Sequence, residues 1–152
     1  MQLSLHADYG LRLLIYLGSH GEDVVSTQRV SEAYGISKHH LVRVAQTLAR
    51  HGYIQIVPGR AGGLKLAREP LSIRLGDVVR AAEPNLQLVE CFDRRTNTCP
   101  IIDVCGLRAY LSNALEAFVA ELNTHTLAEL LVPARRRKLE RVFLRLYRTP
   151  PA

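Results

Sequence analysis

Cysteine is scarce in this sequence of 152 residues, and the three that occur all lie between positions 91 and 105. No apolar run approaches the length of a membrane span, which argues against a membrane protein. The N-terminal stretch MQLSLHADYGLR lacks the basic region, apolar run and small-residue cleavage site of an export signal. We therefore expect a cytoplasmic protein with no membrane partner. Thiols stay reduced there, so clustered cysteines indicate a metal site or a catalyst rather than disulfides.

Acidic residues are absent from Ala33 to Arg68, a window that holds six Lys or Arg and three His. The formal net charge of +6 does not come from this window, because residues 135–148 carry seven basic residues and one Glu. The rest of the chain is neutral overall. The acid-free window, rather than the net charge, therefore predicts a positive face that suits phosphate.

Two short helices joined by a tight turn are predicted inside and just before this window. The stretch STQRVSEAYG has Ser26 or Thr27 as N-cap and Gly35 as C-cap. The following stretch, ISKHHLVRVAQTLARHG, begins at Ser37 and stops at Gly52. Together with an earlier buried helix over residues 7–18, this pattern predicts a helix-turn-helix. Its second helix is the one expected in the major groove of DNA.

A β-hairpin is predicted directly after these helices, with YIQIV and LKLA as strands and PGRAGG as the turn. A hairpin after a helix-turn-helix is the wing of a winged helix, and an Arg at its tip suits a narrow minor groove. Base edges or phosphates would meet the start of the second helix, while Lys65 would contact phosphate. The predicted DNA-binding residues are Ser37, Lys38, His39, His40, Arg43, Arg60 and Lys65.

The second half of the chain is predicted to be helical around an irregular cysteine segment. The stretch SIRLGDVVRAAE reads as a helix stopped by Pro84, and a long amphipathic helix starts at Leu107. Its apolar stripe is longer than a domain of this size needs, which favours pairing with a second subunit. A short helix follows over residues 126–131. The tail from Arg135 fits a basic amphipathic helix. Its charge run suits either the DNA backbone or a solvated, partly disordered end, and we assign it no role.

The predicted fold class is therefore mainly α with a small β-hairpin, a winged helix-turn-helix plus a long dimerisation helix. We divide the chain into a DNA-binding domain (1–83), a cluster-binding loop (84–106), a dimerisation region (107–132) and a basic tail (133–152).

The cysteine spacing, Cys-x7-Cys-x5-Cys, helps to decide which kind of cysteine site the chain contains. Structural zinc sites usually contain a tight Cys-x(2–4)-Cys pair, which is missing here. A catalytic cysteine needs one activated thiol and a base rather than three thiols in one loop. Three reduced thiols in an irregular segment suit an iron–sulfur cluster. A four-iron cluster then lacks one ligand, for which Asp93, Asp103 and Asp8 are candidates; Asp8 also suits an i,i+4 ion pair with Arg12.

These features together resemble the Rrf2 family of iron–sulfur winged-helix regulators, most closely its nitric-oxide-sensing NsrR branch. The resemblance runs from MQLSLHADYGLRLLIYL to about residue 131 and includes GRAGGLKLA, IRLGDVVRAAEP and the cysteines. One branch of the family has a ligating His three residues after the last cysteine, where this chain has Arg108. The NsrR branch uses an Asp of the first helix. The resemblance thus implies Cys91, Cys99 and Cys105 from one subunit with Asp8 of the partner subunit, and Arg12 beside that Asp. The long first cysteine spacing and the basic tail depart from the family pattern.

The resemblance implies a homodimeric repressor on a palindromic operator, not an enzyme, with a 4Fe–4S cluster expected and a 2Fe–2S cluster as the alternative. Asp8 would leave its ligand position when nitric oxide arrives, and DNA affinity would fall. Three alternatives stay open. They are a regulator of the same fold that senses iron, redox or cluster status, a small iron–sulfur electron-transfer protein, and a zinc-bound or metal-free adaptor.

Overall fold

The computed structural model describes residues 2–83 and 85–148, which form seven α-helices, two 3-10 turns and one antiparallel pair of strands. The helices are α1 (Leu5–Ser19), α2 (Thr27–Tyr34), α3 (Lys38–Arg50), α4 (Leu75–Ala82), α5 (Leu107–Asn123), α6 (Leu127–Leu130) and α7 (Pro133–Arg148). The strands are β1 (Ile54–Val57) and β2 (Gly63–Leu66). The predicted class, mainly α with a winged helix-turn-helix, is confirmed.

The caps of the helix-turn-helix lie where the sequence predicted them. The hydroxyl of Ser26 accepts a hydrogen bond from the third residue of α2, and the hydroxyl of Ser37 accepts one from His40 N. Gly35 ends α2 at φ +63°, a conformation that favours glycine. These local signals fix the angle at which α3 leaves the turn.

The core surrounds α1, whose Leu13, Leu14 and Leu17 are buried. At Gly10 the helix approaches both α3 and α4, because a Cβ there would lie 3.9 Å from Val44 and 3.6 Å from Ala82. The helix therefore packs directly against the back of α3. A shift of α1 cannot leave α3 undisturbed, since packed interiors deform little.

The wing is attached to the domain through a backbone bridge. Ile54 pairs with Leu66 across the hairpin, and Leu64 also exchanges backbone hydrogen bonds with Val25 at 2.8 and 2.9 Å. A hairpin packed on one face of a core should alternate buried and exposed residues, and this one does so only in part. Ile54 is buried but Ile56, on the same face, is exposed, because the hairpin extends past the edge of the core.

Helix α4 begins later than predicted. Pro70–Ser72 form a 3-10 turn, and Arg74 pairs with Thr126 in an isolated β-bridge. The helix therefore starts at Leu75 rather than Ser72 and ends at Ala82; its predicted stop, Pro84, lies outside the described residues.

The long helix α5 lies against α4 through Leu115 and Val119, while Tyr110 is 74% exposed. The described part of the basic tail, residues 133–148, forms the predicted helix, and α7 packs on α1 and α2. Residues 149–152 of the tail lie outside the described residues. Over residues 2–83 and 85–148, no helix is both long and apolar enough to span a membrane.

Candidate DNA-binding face and cysteine loop

The start of α3 presents the predicted recognition residues together. Leu41 and Val44 fix the inner side of the helix in the core. The opposite side is open to solvent, and its exposed residues are Ser37, Lys38, His39, His40 and Arg43. Although the hydroxyl of Ser37 caps α3, it still has a proton to donate. The structure therefore brings these five predicted residues onto one surface.

The wing tip carries the sixth predicted residue. Arg60 is exposed at the tip of the hairpin. Its neighbour Gly59 has a φ of +105°, a backbone conformation that residues with a side chain rarely adopt. Lys65, the seventh, is half-buried in β2. A Cβ on Gly63 would lie 2.3 Å from the carbonyl oxygen of Val25, so only glycine permits the bridge that holds the wing.

The cations on this face are not neutralised by the part of the chain that the structure describes. Lys38, Arg43, Arg60 and Lys65 form no ion pair among the residues that the structure describes. Arg68 differs from them. Its guanidinium donates to His51 O at 2.9 Å and lies 5.0 Å from the centre of the Tyr53 ring, which gives it a role in attaching the hairpin. The unpaired four leave their charge available to phosphate.

His6 is a residue of this face that sequence reasoning missed. Its Nε2 lies 3.1 Å from Thr47 Oγ1. Burial and the neighbouring Arg43 lower the pKa of the His6 imidazole. His6, Arg43 and Arg50 line an open groove of about 720 Å³ along α3. No local signal could have revealed this, because the contact joins residues 41 positions apart.

The cysteine loop holds three free thiols, Cys91, Cys99 and Cys105, all half-buried. Apart from a 3-10 turn at Glu90–Phe92, its backbone from residue 85 to Gly106 has no regular structure. Side chains brace it instead. Asp93 Oδ1 accepts from the backbone of Arg95 at 2.9 Å, and hydrogen bonds from Arg95 lower the pKa of the Asp93 carboxyl. The Glu90 carboxylate accepts from Thr98 N, which lowers the pKa of Glu90.

Asp8, the predicted fourth ligand, lies on α1 in an ion pair with Arg12. Arg12 Nη2 is 2.8 Å from Asp8 Oδ2, and Arg12 Nε donates to Asp8 Oδ1 at 3.1 Å. Tyr34 Oη donates to the carbonyl oxygen of Arg12 at 3.1 Å. This short segment of α1 is therefore tied to α2 as well.

In the part of the chain that is described, no three His, Cys, Asp or Glu side chains converge to hold a single metal ion. An iron–sulfur cluster does not require such convergence, because its thiolates bind different iron atoms. The donor set, three reduced thiols in one loop, fits that group. A second observation agrees with it: Arg108 Nε, three residues after Cys105, is buried with no hydrogen-bond partner in the described residues. An N–H donor there suits a sulfur acceptor, which a cluster supplies.

An apolar surface continues from the loop onto α5. Ile101, Val104, Leu107 and Tyr110 are 54%, 86%, 56% and 74% exposed. Farther along α5, Leu111, Phe118 and Leu122 are partly buried, and Leu115 and Val119 are buried. Such a contiguous apolar face is typical of a protein interface.

Comparisons with known proteins agree with this arrangement. The family model of Rrf2, described as an iron-dependent transcriptional regulator, matches residues 3–133. An HTH-type transcriptional regulator NsrR from Geobacillus kaustophilus is 44% identical over 132 residues, which cover 86% of this chain and 90% of that protein. The solved structure of IscR from T. potens matches with a TM-score of 0.69 at 27% identity, over 88% of each chain. CymR, the global cysteine regulator of B. subtilis, matches with a TM-score of 0.67 at 25% identity, over 86% of this chain and 95% of that one.

Proposed function

The chain belongs to the Rrf2 family of transcriptional regulators, and from this membership we propose that it is a homodimeric, iron–sulfur-containing repressor that senses nitric oxide. The observation that carries the proposal is the combination of two features in one chain. A face of unpaired cations on α3 and the wing suits DNA, and a loop with all three cysteines as free thiols suits a cluster. We assign it no enzymatic reaction and propose that it acts in the cytoplasm.

We assign the cluster to Cys91, Cys99 and Cys105 of one subunit and Asp8 of the partner subunit. When bound, a 4Fe–4S cluster would supply an iron site at which nitric oxide reacts; a 2Fe–2S cluster is the alternative. A carboxylate is a harder ligand than a thiolate and binds such iron more weakly. The Asp8 position is therefore the one we expect to exchange. Arg108 Nε, buried without a partner in the described residues, would donate a hydrogen bond toward sulfur.

Asp8 has two alternative partners in this proposal. In one state it would ligate the cluster of the other subunit and so link the two subunits. In the other it pairs with Arg12, as it does in the structure at 2.8 Å. Because Gly10 packs α1 directly on Val44 of α3, the exchange would move the recognition helix. The cluster-ligated state would favour the dimer geometry that matches the operator, and the ion-paired state would disfavour it.

A palindromic operator follows from the proposed dimer, because two recognition helices would read two half-sites. The exposed apolar face of residues 101–110 is the proposed pairing surface, together with the outer side of α5. Residues 37–40 and 43 would enter the major groove, Arg60 the minor groove, and Lys65 would contact phosphate. Affinity should then fall steeply with salt.

The family description as iron-dependent favours one second candidate, a regulator of the same fold that responds to iron supply or redox state. The two candidates share the DNA-binding face and differ in the signal. Native mass spectrometry of protein purified without oxygen, during a nitric oxide titration, separates them.

We expect a dimer with one four-iron cluster per subunit that converts stepwise to nitrosylated species and loses DNA affinity in parallel. Asp8→Ala should retain the cluster in part and change its response to nitric oxide. Asp103→Ala, which removes an exposed carboxylate of the cysteine loop, should change neither the cluster content nor that response. A cluster indifferent to nitric oxide would favour the iron or redox regulator. Protein with zinc or no metal would overturn the cluster assignment.

A further inference from the structure

Helix α7 has no role in the function described so far. It starts at Pro133, where the match to the family model ends. Residues 135–148 hold seven Lys or Arg and one Glu, a balance of +6 that equals the formal net charge of the whole chain. A helix with this much positive charge that also packs on the domain suggests an anionic binding partner.

One face of α7 packs against the domain around Phe143, while Leu146, farther along, is 42% exposed. Phe143 is 5% exposed, and its ring centre lies 4.6 Å from that of Tyr16 and 5.5 Å from that of Tyr34. Arg136 Nε donates to the carbonyl oxygen of Ser19 at 2.9 Å. These contacts hold α7 against the last turns of both α1 and α2.

The opposite face of α7 carries cations that have no partner in the described chain. They are Arg137, Lys138, Arg141 and Arg145, all exposed. None of their side chains forms a hydrogen bond or ion pair with the side chains that the structure describes. At 3.6 residues per turn the four fall within an arc of about 100°, centred opposite Leu139 and Phe143. The only acid of the helix, Glu140, is already paired with Arg136 at 3.1 Å.

The position of α7 relates this face to the DNA-binding module. The helix packs on α2, the first helix of the helix-turn-helix. Near its start, Arg136 lines the same groove of about 600 Å³ as Lys65 and Arg68 of the hairpin. Glu22 and Glu69 also line this groove, so it connects the wing to α7 without being positive along its whole length.

We propose that the outer face of α7, formed by residues 137, 138, 141 and 145, binds the phosphates of duplex DNA beside the segment that α3 reads. The assignment rests on the DNA-binding function of the chain and is independent of the cluster and of nitric oxide. A lipid surface fits less well. A membrane-bound amphipathic helix inserts its apolar face, and here Phe143 of that face is occupied by Tyr16 and Tyr34.

The test measures the affinity of the full chain for a fluorescent DNA duplex of random sequence over a series of salt concentrations. The variant replaces Arg137, Lys138, Arg141 and Arg145 by Gln. Each lost phosphate contact lowers the slope of log K against log salt by about 0.9, so four lost contacts lower it by about 3 to 4. Circular dichroism and the melting temperature check that the helix remains folded.

Two controls distinguish the loss of phosphate contacts on α7 from a general loss of positive charge. Arg80→Gln with Arg94→Gln removes two exposed cations outside this face, and it should change the slope much less than Arg141→Gln with Arg145→Gln. Replacement of Arg137, Arg141 and Arg145 by Lys keeps the point charges and should preserve the slope. Equal losses in the two double variants, or an unchanged slope in the fourfold variant, would overturn the proposal. Failure of the unsubstituted protein to bind any duplex would instead overturn DNA binding itself.

Discussion

Asn123 and Asp77 hold each other by two hydrogen bonds, from Asp77 N to Asn123 Oδ1 at 2.8 Å and from Asn123 Nδ2 to Asp77 Oδ1 at 2.9 Å. Asn123 ends α5, and Asp77 lies in the first turn of α4, whose N-cap residue, Arg74, provides no side-chain cap. The proposed dimerisation helix therefore caps a helix of the DNA-binding domain. A change at the subunit interface has a direct structural path into that domain.

Loss of this cap should destabilise the domain. We expect Asn123→Ala to lower the free energy of unfolding by about 1 kcal/mol, the usual cost of removing an N-terminal cap. Urea denaturation measures the change. Asn113→Ala, an exposed position of the same helix, is the matched control and should have little effect. Equal stability of the two variants would show that the contact with α4 contributes nothing.

The attachment of the wing should depend on Gly63. Its replacement by Ala would place a Cβ 2.3 Å from Val25 O and break the bridge between Val25 and Leu64. We expect a loss of about 2 kcal/mol in unfolding free energy and weaker binding to duplex DNA. Gly106→Ala is the control, because the nearest atom, on Tyr110, is 4.0 Å from the added Cβ. A Gly63→Ala protein as stable as this control would contradict the role of the bridge.

The attachment of α7 should depend on Phe143. Truncation of a buried aromatic residue to Ala costs about 3 to 5 kcal/mol, which we expect to release α7 before the rest of the domain unfolds. Limited trypsin digestion should then cut faster at the arginines between 135 and 145. Val142→Ala, at a neighbouring position that is 50% exposed, should be cut at the original rate. Equal rates for the two variants would mean that α7 is held by other contacts.

The pH dependence of stability should carry a contribution from His6. Its pKa in the folded protein is lowered from the ordinary value of 6.5, chiefly by burial and secondly by Arg43. As pH falls through 6.5 the unfolded chain gains a proton that the folded chain does not, so stability from His6 is complete above 6.5 and lost below it. His6→Gln should therefore flatten the decline in unfolding free energy between pH 7 and pH 5.

His125 provides the opposite control for that experiment. A hydrogen bond to Glu129 raises the pKa of His125, so its contribution is present below 6.5 and is lost as pH rises. His125→Gln should steepen the decline in unfolding free energy toward acid. A His6→Gln protein with an unaltered pH profile would show that His6 takes up its proton equally in both states.

Local signals predicted this fold well, and contacts between distant segments were missed. The caps at Ser26, Ser37 and Gly35 involve residues a few positions apart, so they can be predicted from the sequence alone. The contact of His6 with Thr47 joins segments far apart in the chain, and no period or motif encodes it. The start of α4 was predicted too early because the β-bridge of Arg74 with Thr126, 52 residues away, competes with the helix.

In the cysteine loop, too, some features could be predicted from the sequence and others could not. Its position, its free thiols and the location of Asp8 on the first helix followed from residue types and spacing. The bracing of Asp93 by Arg95 depends on the path of an irregular backbone, and the buried Nε of Arg108 depends on how α5 leaves the loop. Neither could be predicted from a pattern of hydrophobic and polar residues.

The seating of Phe143 between Tyr16 and Tyr34 has a consequence for the history of this protein. Without α7, the sides of these rings that contact Phe143 would be exposed to water, while Tyr16 would still stack on His20. Chain length and the residues at these two positions should therefore vary together among relatives.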